Sequence, residues 1–175
     1  MPCKACHPQV PIGTPRKLYF DTENSAKIGA YYGNKWETSI LWNVDDWRFL
    51  CFSFAWDDEP VQVVQSWNEK QLLKKMHKLI DQADILIAHN ASFDLGHFYA
   101  KCLKYGLPPP RPPKIICTLK RYRKLCKGGF ESNALGDLGE TLNLGKKKEL
   151  EKGFWRKVMN KEPLSVKKMI SITFR

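Results

Sequence analysis

Between Asn68 and Cys117 the spacing of the hydrophobic residues switches three times between that of a helix and that of a strand. This segment constrains the possible folds more than any other part of the chain. A helical repeat comes first, followed by the apolar strand Asp84–Ala88, a second helix over Phe93–Tyr105 and the short strand Lys114–Cys117. Buried strands that alternate with helices are joined by crossover connections and run parallel, so the pattern predicts an α/β sandwich. The residues at helical spacing in the first helix are Leu72, Leu73, Met76, Leu79, Ile80 and Ala83.

The residues before Asn68 predict further strands of the same sheet. Lys17–Phe20 is a short apolar run, and the β-prone segments Arg48–Trp56 and Val61–Ser66 flank a turn, as the strands of a hairpin do. Asn68 itself is the predicted N-cap of the first helix, with Gln71 as its partner in a capping box. The sheet is therefore expected to be mixed, with an antiparallel hairpin beside parallel strands.

The composition is that of a globular domain with an uneven charge. The chain has 175 residues, 43% of them hydrophobic, which suits one domain with a buried core. The net charge is +11: residues 1–100 carry 10 Lys and Arg against 12 Asp and Glu, and residues 101–175 carry 19 against 6. Such an excess of cations favours polyanions such as nucleic acid, although a solvated basic surface explains it equally well. No apolar run reaches the roughly eighteen residues of a membrane span, so a cytoplasmic protein is expected.

Residues 1–16 predict an extension outside the domain. Four prolines interrupt them, and they lack the apolar stretch of a secretory signal. Cys3, Cys6 and His7 have the spacing of a c-type haem attachment site or of half a zinc site, and a disordered terminus with incidental cysteines is the third interpretation. The other cysteines are expected to be free thiols. These are Cys51, Cys102, Cys117 and Cys126.

Two acids follow the first predicted strand. Residues on a strand alternate between its faces, so Asp21 and Glu23 are expected to leave the strand on the same side. Two carboxylates held so close repel each other unless a cation lies between them, and Mg²⁺ or Mn²⁺ prefers such oxygen ligands. The alternative is an ordinary acidic turn, which an isolated Asp-x-Glu sequence favours.

A second polar segment, His89–Asp94, comes directly after the strand Asp84–Ala88. Asp94 lies at the predicted start of a helix, where the helix dipole also stabilises a carboxylate. A helix cap and a structural histidine are therefore alternative explanations for Asp94 and His89. Acids at the ends of two strands, however, lie at the edge of the sheet where α/β proteins place their binding sites.

Four segments resemble, in order, motifs of the DEDD (DnaQ-like) superfamily of 3′–5′ exonucleases. Lys17–Glu23 contains its Asp-x-Glu motif, and His89–Phe98 resembles its second motif, His-Asn-x-x-Phe-Asp. Ile116–Lys120 is similar to a segment that usually reads Asp-Thr-Leu, and Ser132–Gly145 is similar to a Ser-Asn-x-Leu helix with a Leu-Gly turn. Within the superfamily the chain is most similar to phage-type exonuclease domains associated with polymerases.

The resemblance implies a ribonuclease H-like fold, which is a three-layer α/β sandwich around a mixed sheet, and a nuclease with two Mg²⁺ or Mn²⁺ ions. Asp21, Glu23 and Asp94 would be its catalytic metal ligands, and the ions would clamp the scissile phosphate. Thr22 and Asn90 match positions expected to bind substrate or to shape the metal loop. The substrate would be the 3′ end of a single strand, DNA in preference to RNA, and the partner a DNA polymerase or another replication protein. A phage or virus protein that acts in the host cytoplasm is an implied setting.

Cations and aromatic residues offer further candidates for substrate binding. The predicted helix Thr118–Leu125 carries four cations that could follow the backbone of a single strand into the acidic site, although a solvated helix face explains each of them equally well. Phe93 is expected to pack beneath the site as a core aromatic. Trp36, Trp42 and Trp47 could stack on bases, but burial in the core is the expectation. The four cations are Lys120, Arg121, Arg123 and Lys124.

One part of the superfamily pattern is missing. Its fourth carboxylate lies on the last helix, four or five residues after a Tyr or His that acts on the attacking water. Beyond the predicted helix Leu164–Ile170, the Tyr or His position falls near Ser171 or Ile172 and the acid near Arg175. We therefore expect a domain over residues 17–175 that is truncated at its C-terminus and impaired in turnover. The alternative is a non-catalytic nucleic-acid-binding module derived from such a nuclease.

Overall fold

A five-stranded mixed sheet forms the centre of the computed structural model, which describes residues 13–30, 42–126, 134–145 and 150–172. The strands, in chain order, are β1 (Lys17–Asn24), β2 (Ile28–Ala30), β3 (Trp42–Asp45), β4 (Phe49–Trp56), β5 (Gln62–Gln65), β6 (Ile85–Ala88) and β7 (Lys114–Cys117). The strands β2 and β3 form a separate antiparallel pair, and the other five lie side by side in the order β5-β4-β1-β6-β7.

Only β4 runs against the other strands of the main sheet. It pairs antiparallel with β1 and β5, whereas β6 pairs parallel with β1 and β7. Numbered along the chain within this sheet, the spatial order is 3-2-1-4-5. The predicted mixed sheet, with a hairpin beside parallel strands, is confirmed. Because β1, β6 and β7 share a direction, their ends at Asn24, Ala88 and Cys117 lie at one edge, which we call the carboxyl edge.

Helices lie on both faces of the main sheet, which confirms the three-layer sandwich. They are, in chain order, α1 (Glu69–Gln82), α2 (Ala91–Lys104), α3 (Thr118–Cys126), α4 (Leu135–Thr141), α5 (Phe154–Met159) and α6 (Pro163–Ile172). One core cluster joins Phe20 of β1 to residues of α1 and α2, and a second joins Leu50 of β4 to residues of α5 and α6. Within the described ranges no helix has both the length and the apolar character needed to cross a membrane.

Two elements extend beyond their predicted limits. β1 continues past Phe20 because it stays paired with β4 as far as Asn24, which lies opposite Phe49. α2 begins at Ala91 rather than at Phe93, because the chain turns into the helix immediately after β6.

The predicted cap of α1 is confirmed at Asn68. Its side-chain oxygen accepts a hydrogen bond of 3.1 Å from the backbone N–H of Gln71. The predicted capping box is wrong, because the backbone N–H of Asn68 donates to the hydroxyl of Ser66 at 3.1 Å instead of to the side chain of Gln71.

Some of the predictions concern residues outside the described ranges. They are the haem and zinc interpretations of Cys3, Cys6 and His7, the core position of Trp36, and the missing acid near Arg175. The start of the segment that begins at Ser132 also lies outside them. The remaining cysteines are free thiols, as expected: Cys51, Cys102, Cys117 and Cys126.

Candidate active site at the carboxyl edge

Asp21 and Glu23 lie inside β1, so the alternative of an acidic turn is wrong. Asp21 pairs with Ser53 and Glu23 with Cys51 on the neighbouring β4. Thr22, between them, is buried, whereas Asp21 is exposed and Glu23 is half-buried. The two acids therefore share the face of β1 opposite to Thr22, as strand alternation predicts.

Asp94 reaches β1 from the first turn of α2. The connection from β6 consists of His89 and Asn90, and Asn90 adopts a left-handed conformation with φ 64°, which Asn tolerates better than most residues. Asp94 belongs to the buried face of α2, and its Oδ1 accepts a hydrogen bond of 2.5 Å from the hydroxyl of Thr22. The acid of the second motif therefore lies directly beside the strand that carries the first motif.

The surroundings of Asp94 oppose its ionisation. The residue is only 4% exposed, and burial raises the pKa of its carboxyl group to about 6. The hydrogen bond from Thr22 lowers this pKa, whereas the negative charge of Asp21 raises it. Carboxyl groups from two motifs thus lie close enough to repel each other, and a bound cation would relieve that repulsion.

The three acids have the ligand chemistry of a hard divalent cation, because all their donor atoms are carboxylate oxygens. Their arrangement meets only part of what a metal site requires. Asp21 and Glu23 share one face of β1, whereas Asp94 forms a hydrogen bond with Thr22, which lies on the opposite face of the strand. In the part of the chain that the structure describes, no group of three or more His, Cys, Asp or Glu side chains is disposed to hold an ion. The donor set thus fits Mg²⁺ or Mn²⁺ chemically, and the assignment of these acids as catalytic ligands stays a prediction.

A pocket of about 510 Å³ opens beside the start of α2. Three aromatic rings line it: the ring centroid of His97 lies 4.2 Å from that of Phe93 and 4.4 Å from that of Trp47. Asn90 and Gly96 contribute to the same lining. The rings of Phe93 and His97 are inclined by 46° and those of His97 and Trp47 by 74°, and together they form an aromatic wall of the pocket.

The prediction that Phe93 packs in the core is wrong. Half of the residue, 50%, is exposed, because the buried stripe of α2 passes through Ala91, Asp94, Leu95 and Phe98 and leaves Phe93 outside it. The side chain is consequently available to the pocket.

Of the three tryptophans considered for base stacking, the two that lie in the described ranges behave differently from each other. Trp47 packs against the core, as expected, and its outer side lines the pocket. Trp42 is 61% exposed, so its expected burial is wrong; it belongs to β3, which pairs with β2 outside the main sheet. The sequence did not predict that Trp47 lines the pocket. The residue lies in the turn between β3 and β4, and a turn has no hydrophobic periodicity from which its spatial neighbours could be inferred.

The first turn of α3 is attached to the loop that precedes α2. The Nδ1 atom of His89 lies 3.0 Å from the hydroxyl of Thr118, a contact that supports a structural role for this histidine. Burial acts to raise the pKa of Cys117, but backbone N–H groups at the starts of both helices outweigh it, and the pKa lies below its usual value. These N–H groups belong to Lys120, Ala91, Asn90 and Leu119.

All four cations predicted to bind the substrate are exposed on α3, whose single buried residue is Leu119. The helix that carries them begins at the carboxyl edge, where the acids lie, because α3 follows β7 without a loop. Their contact with a substrate stays a prediction, as do the substrate contacts of Thr22 and Asn90. The four are Lys120, Arg121, Arg123 and Lys124.

Comparison with known proteins gives a family match and a structural match. The family model RNase_T, described as exonuclease, matches residues 59–149. No curated protein sequence matches the chain. In structure the chain is similar to the family B DNA polymerase of the hyperthermophilic archaeon Pyrobaculum calidifontis, with a TM-score of 0.64 and 13% sequence identity. The match covers 91% of this chain and 23% of the polymerase chain, so the chain spans about a quarter of that protein. The likeness supports the expected ribonuclease H-like fold.

Proposed function

Because the chain belongs to the RNase_T exonuclease family, we propose that it removes nucleotides from the 3′ end of a single strand, DNA in preference to RNA. Its lineage is that of a nuclease, and enzymes of this family generally use divalent metal ions. Asp21, Glu23 and Asp94 would hold two Mg²⁺ or Mn²⁺ ions. Such ions, when bound, supply an activated water and stabilise the leaving oxygen of the phosphodiester.

The observation that carries the proposal is the contact between the two acidic motifs. The 2.5 Å hydrogen bond between Thr22 and Asp94 joins strand β1 to the first turn of α2. The charge of Asp21 acts on Asp94 across this contact. An arrangement that keeps carboxyl groups close in spite of their repulsion is typical of sites that bind cations.

The aromatic wall supports a single-stranded substrate. Phe93 adjoins Asp94 in sequence and exposes half of its surface, so a base stacked on it would bring the adjoining phosphate near the acids. Asn90, at the mouth of the same pocket, would contact the terminal nucleotide. The cations of α3 would follow the backbone away from the carboxyl edge.

The structural similarity to a polymerase supports a role beside DNA synthesis. We propose that the domain, residues 17–175, acts together with a DNA polymerase, either on the same chain or in a complex. Removal of a 3′-terminal nucleotide is the chemistry that such a partner uses when a base pairs wrongly.

For the 175 residues by themselves we propose slow turnover. None of the ten residues of α6 is acidic, so this helix supplies no fourth carboxylate. With fewer ligands the ions would be held less firmly and the attacking water less well oriented. The same observation favours a second candidate function, a nucleic-acid-binding module without catalysis.

A metal titration tests the proposed site. Calorimetric titration with Mn²⁺ should detect binding to the wild type, and Asp21→Ala should weaken it by more than about 10-fold because one direct ligand is removed. Asp58→Ala is the matched control, since Asp58 is an exposed acid in the turn after β4. Equal Mn²⁺ affinities of Asp21→Ala and Asp58→Ala would contradict the assignment.

A 5′-labelled oligonucleotide distinguishes the two candidate functions. The nuclease predicts a Mn²⁺-dependent ladder that shortens from the 3′ end and is lost in Asp21→Ala. The binding module predicts retarded migration of the oligonucleotide without cleavage at any Mn²⁺ concentration. An RNA of the same sequence, run in parallel, tests the preference for DNA.

A further inference from the structure

Lys101 is a buried cation in the last turn of α2, with 3% of its surface exposed. Its Nζ atom lies 3.2 Å from Oε1 and 3.3 Å from Oε2 of Glu69, and 3.5 Å from Oδ2 of Asp46. It also donates a hydrogen bond to the backbone carbonyl of Trp47. Burial of a lysine ammonium group is costly unless it is paired and hydrogen-bonded, and here the partners come from two segments of the chain, the turn before β4 and the start of α1.

Glu69, the buried partner of Lys101, is itself fully engaged. Its Oε1 accepts a 2.9 Å hydrogen bond from the backbone N–H of Phe49, and its Oε2 accepts one of 2.9 Å from the hydroxyl of Tyr105. The network therefore ties the first turn of α1, the last turn of α2 with its C-cap Tyr105, and the first residue of β4 to one another. Trp47 lies in the segment that these contacts hold.

Lys101 contacts Trp47 through its ring as well as its backbone. The Nζ atom lies 4.2 Å from the centroid of the indole ring, within the range of a cation–π interaction. The indole also makes edge-on contacts with two other rings. Its centroid lies 4.4 Å from that of His97 and 5.6 Å from that of Phe49. Lys101 therefore contacts Trp47 at both its backbone carbonyl and its ring.

We propose that Lys101 is a positioning residue, which sets Trp47 as the far wall of the pocket and thereby sets the affinity for a single strand. The inference rests on the proposed function, because it takes the pocket to be the place where a base stacks. Without the ammonium group the turn before β4 loses its hydrogen bond and its ring contact, and the aromatic wall shortens to Phe93 and His97.

The test compares Lys101→Met with Lys104→Met. Lys104 is the matched control: it pairs with the same Asp46 at 2.9 Å, but it is 54% exposed and has no contact with the indole ring. Lys101→Met is expected to weaken the binding of a single-stranded oligonucleotide by about 5- to 100-fold, the loss of one aromatic stack. Lys104→Met should change it by less than about 2-fold at moderate salt.

Two further measurements separate positioning from a loss of stability. With 5-fluorotryptophan incorporated, the ¹⁹F resonance of Trp47, assigned with Trp47→Phe, should shift in Lys101→Met and stay in place in Lys104→Met. Trp47→Ala should weaken oligonucleotide binding as much as Lys101→Met, and the double variant should be no weaker than either. Should Lys101→Met fail to fold, Lys101→Gln replaces it, because it removes the ammonium group from the indole ring but leaves a polar side chain beside Glu69.

An unmoved ¹⁹F resonance in Lys101→Met, or losses that multiply in the double variant, would overturn the inference. Unchanged oligonucleotide binding by Trp47→Ala would overturn it too and would also remove the pocket from the proposed function. The calorimetric titration with Mn²⁺ tests the metal site independently of oligonucleotide binding. Failure of the metal assignment can therefore be distinguished from failure of the Lys101 assignment.

Discussion

Asp94 ionises less readily in the folded protein than in an unfolded chain. Burial and the charge of Asp21 raise the pKa of its carboxyl group from 3.8 to about 6, in spite of the hydrogen bond from Thr22. A group whose pKa is raised by folding stabilises the fold below its unfolded pKa, and this contribution disappears as the pH rises through the folded value. Across that window the loss amounts to about 3 kcal/mol.

We expect Asp94→Asn to stabilise the metal-free protein more at pH 8 than at pH 4. Asn retains an oxygen that accepts the hydrogen bond from Thr22, but it cannot ionise beside Asp21. The free energy of unfolding, measured by urea denaturation in EDTA, should shift in favour of the variant by up to about 3 kcal/mol between the two pH values. Asp58→Asn, at an exposed acid, should stay within about 0.5 kcal/mol of wild type at both. A gain from Asp94→Asn that did not change with pH would show that Asp94 titrates normally.

At the scale of elements, two helical glycines have contrasting surroundings. A Cβ atom on Gly139 of α4 would lie 2.9 Å from the backbone oxygen of Gly145, whereas one on Gly96 of α2 would meet nothing within 4 Å. Gly139→Ala should therefore lower the free energy of unfolding by roughly 1–3 kcal/mol, because α4 and the turn after it must separate. Gly96→Ala should raise it by roughly 0.5–1 kcal/mol through higher helix propensity. Urea denaturation of both variants at one pH checks the opposite signs, and a shift of both in the same direction would refute the close contact.

The types of the elements could be predicted from the sequence, but the start of α2 could not. The apolar residues of α1 recur at helical spacing, so their burial follows from local periodicity. The start of α2 depends on the left-handed backbone of Asn90, which hydrophobic spacing does not report. The exposure of Phe93, by contrast, follows from the spacing of the buried residues Asp94, Leu95 and Phe98 and does not depend on where the helix begins.

The candidate site also has a part that could be predicted from the sequence and a part that could not. The position of the second motif beside β1 could be predicted from the common edge of parallel strands, and the shared face of Asp21 and Glu23 from strand alternation. The pocket could not be predicted, because its far wall depends on Trp47 and on Lys101, which is 54 residues away in the sequence. A long-range ion pair leaves no local pattern, so only the folded chain brings these residues together.

At the scale of the whole molecule, the charge is separated along the chain and the fold brings the two parts to one edge. Residues 101–175 carry 19 Lys and Arg against 6 Asp and Glu, whereas the three candidate metal ligands all lie within residues 1–100. The contact between His89 and Thr118 holds the start of the basic helix α3 against the loop that precedes Asp94. A polyanion attracted by the basic part would therefore meet the acids at its end.

Replacing the four cations of α3 by Gln should weaken oligonucleotide binding and reduce its dependence on salt. Each phosphate contact to a single strand contributes about 0.7 to the slope of log affinity against log salt, so the slope should fall by up to about 3. The measurement is fluorescence anisotropy with a labelled single strand at several salt concentrations. The four substituted residues are Lys120, Arg121, Arg123 and Lys124.

Helix α1 provides a control with the same change of charge, because it also exposes four lysines: Lys70, Lys74, Lys75 and Lys78. If binding depended on total charge, both quadruple variants would lose affinity and salt dependence equally, and the place of α3 in the substrate path would be refuted. A path along α3 predicts instead that the α1 variant keeps most of the salt slope, since α1 follows β5 and α3 follows β7, and these two strands are the outermost ones on opposite sides of the main sheet. The difference between the two slopes therefore counts the phosphates that α3 itself contacts.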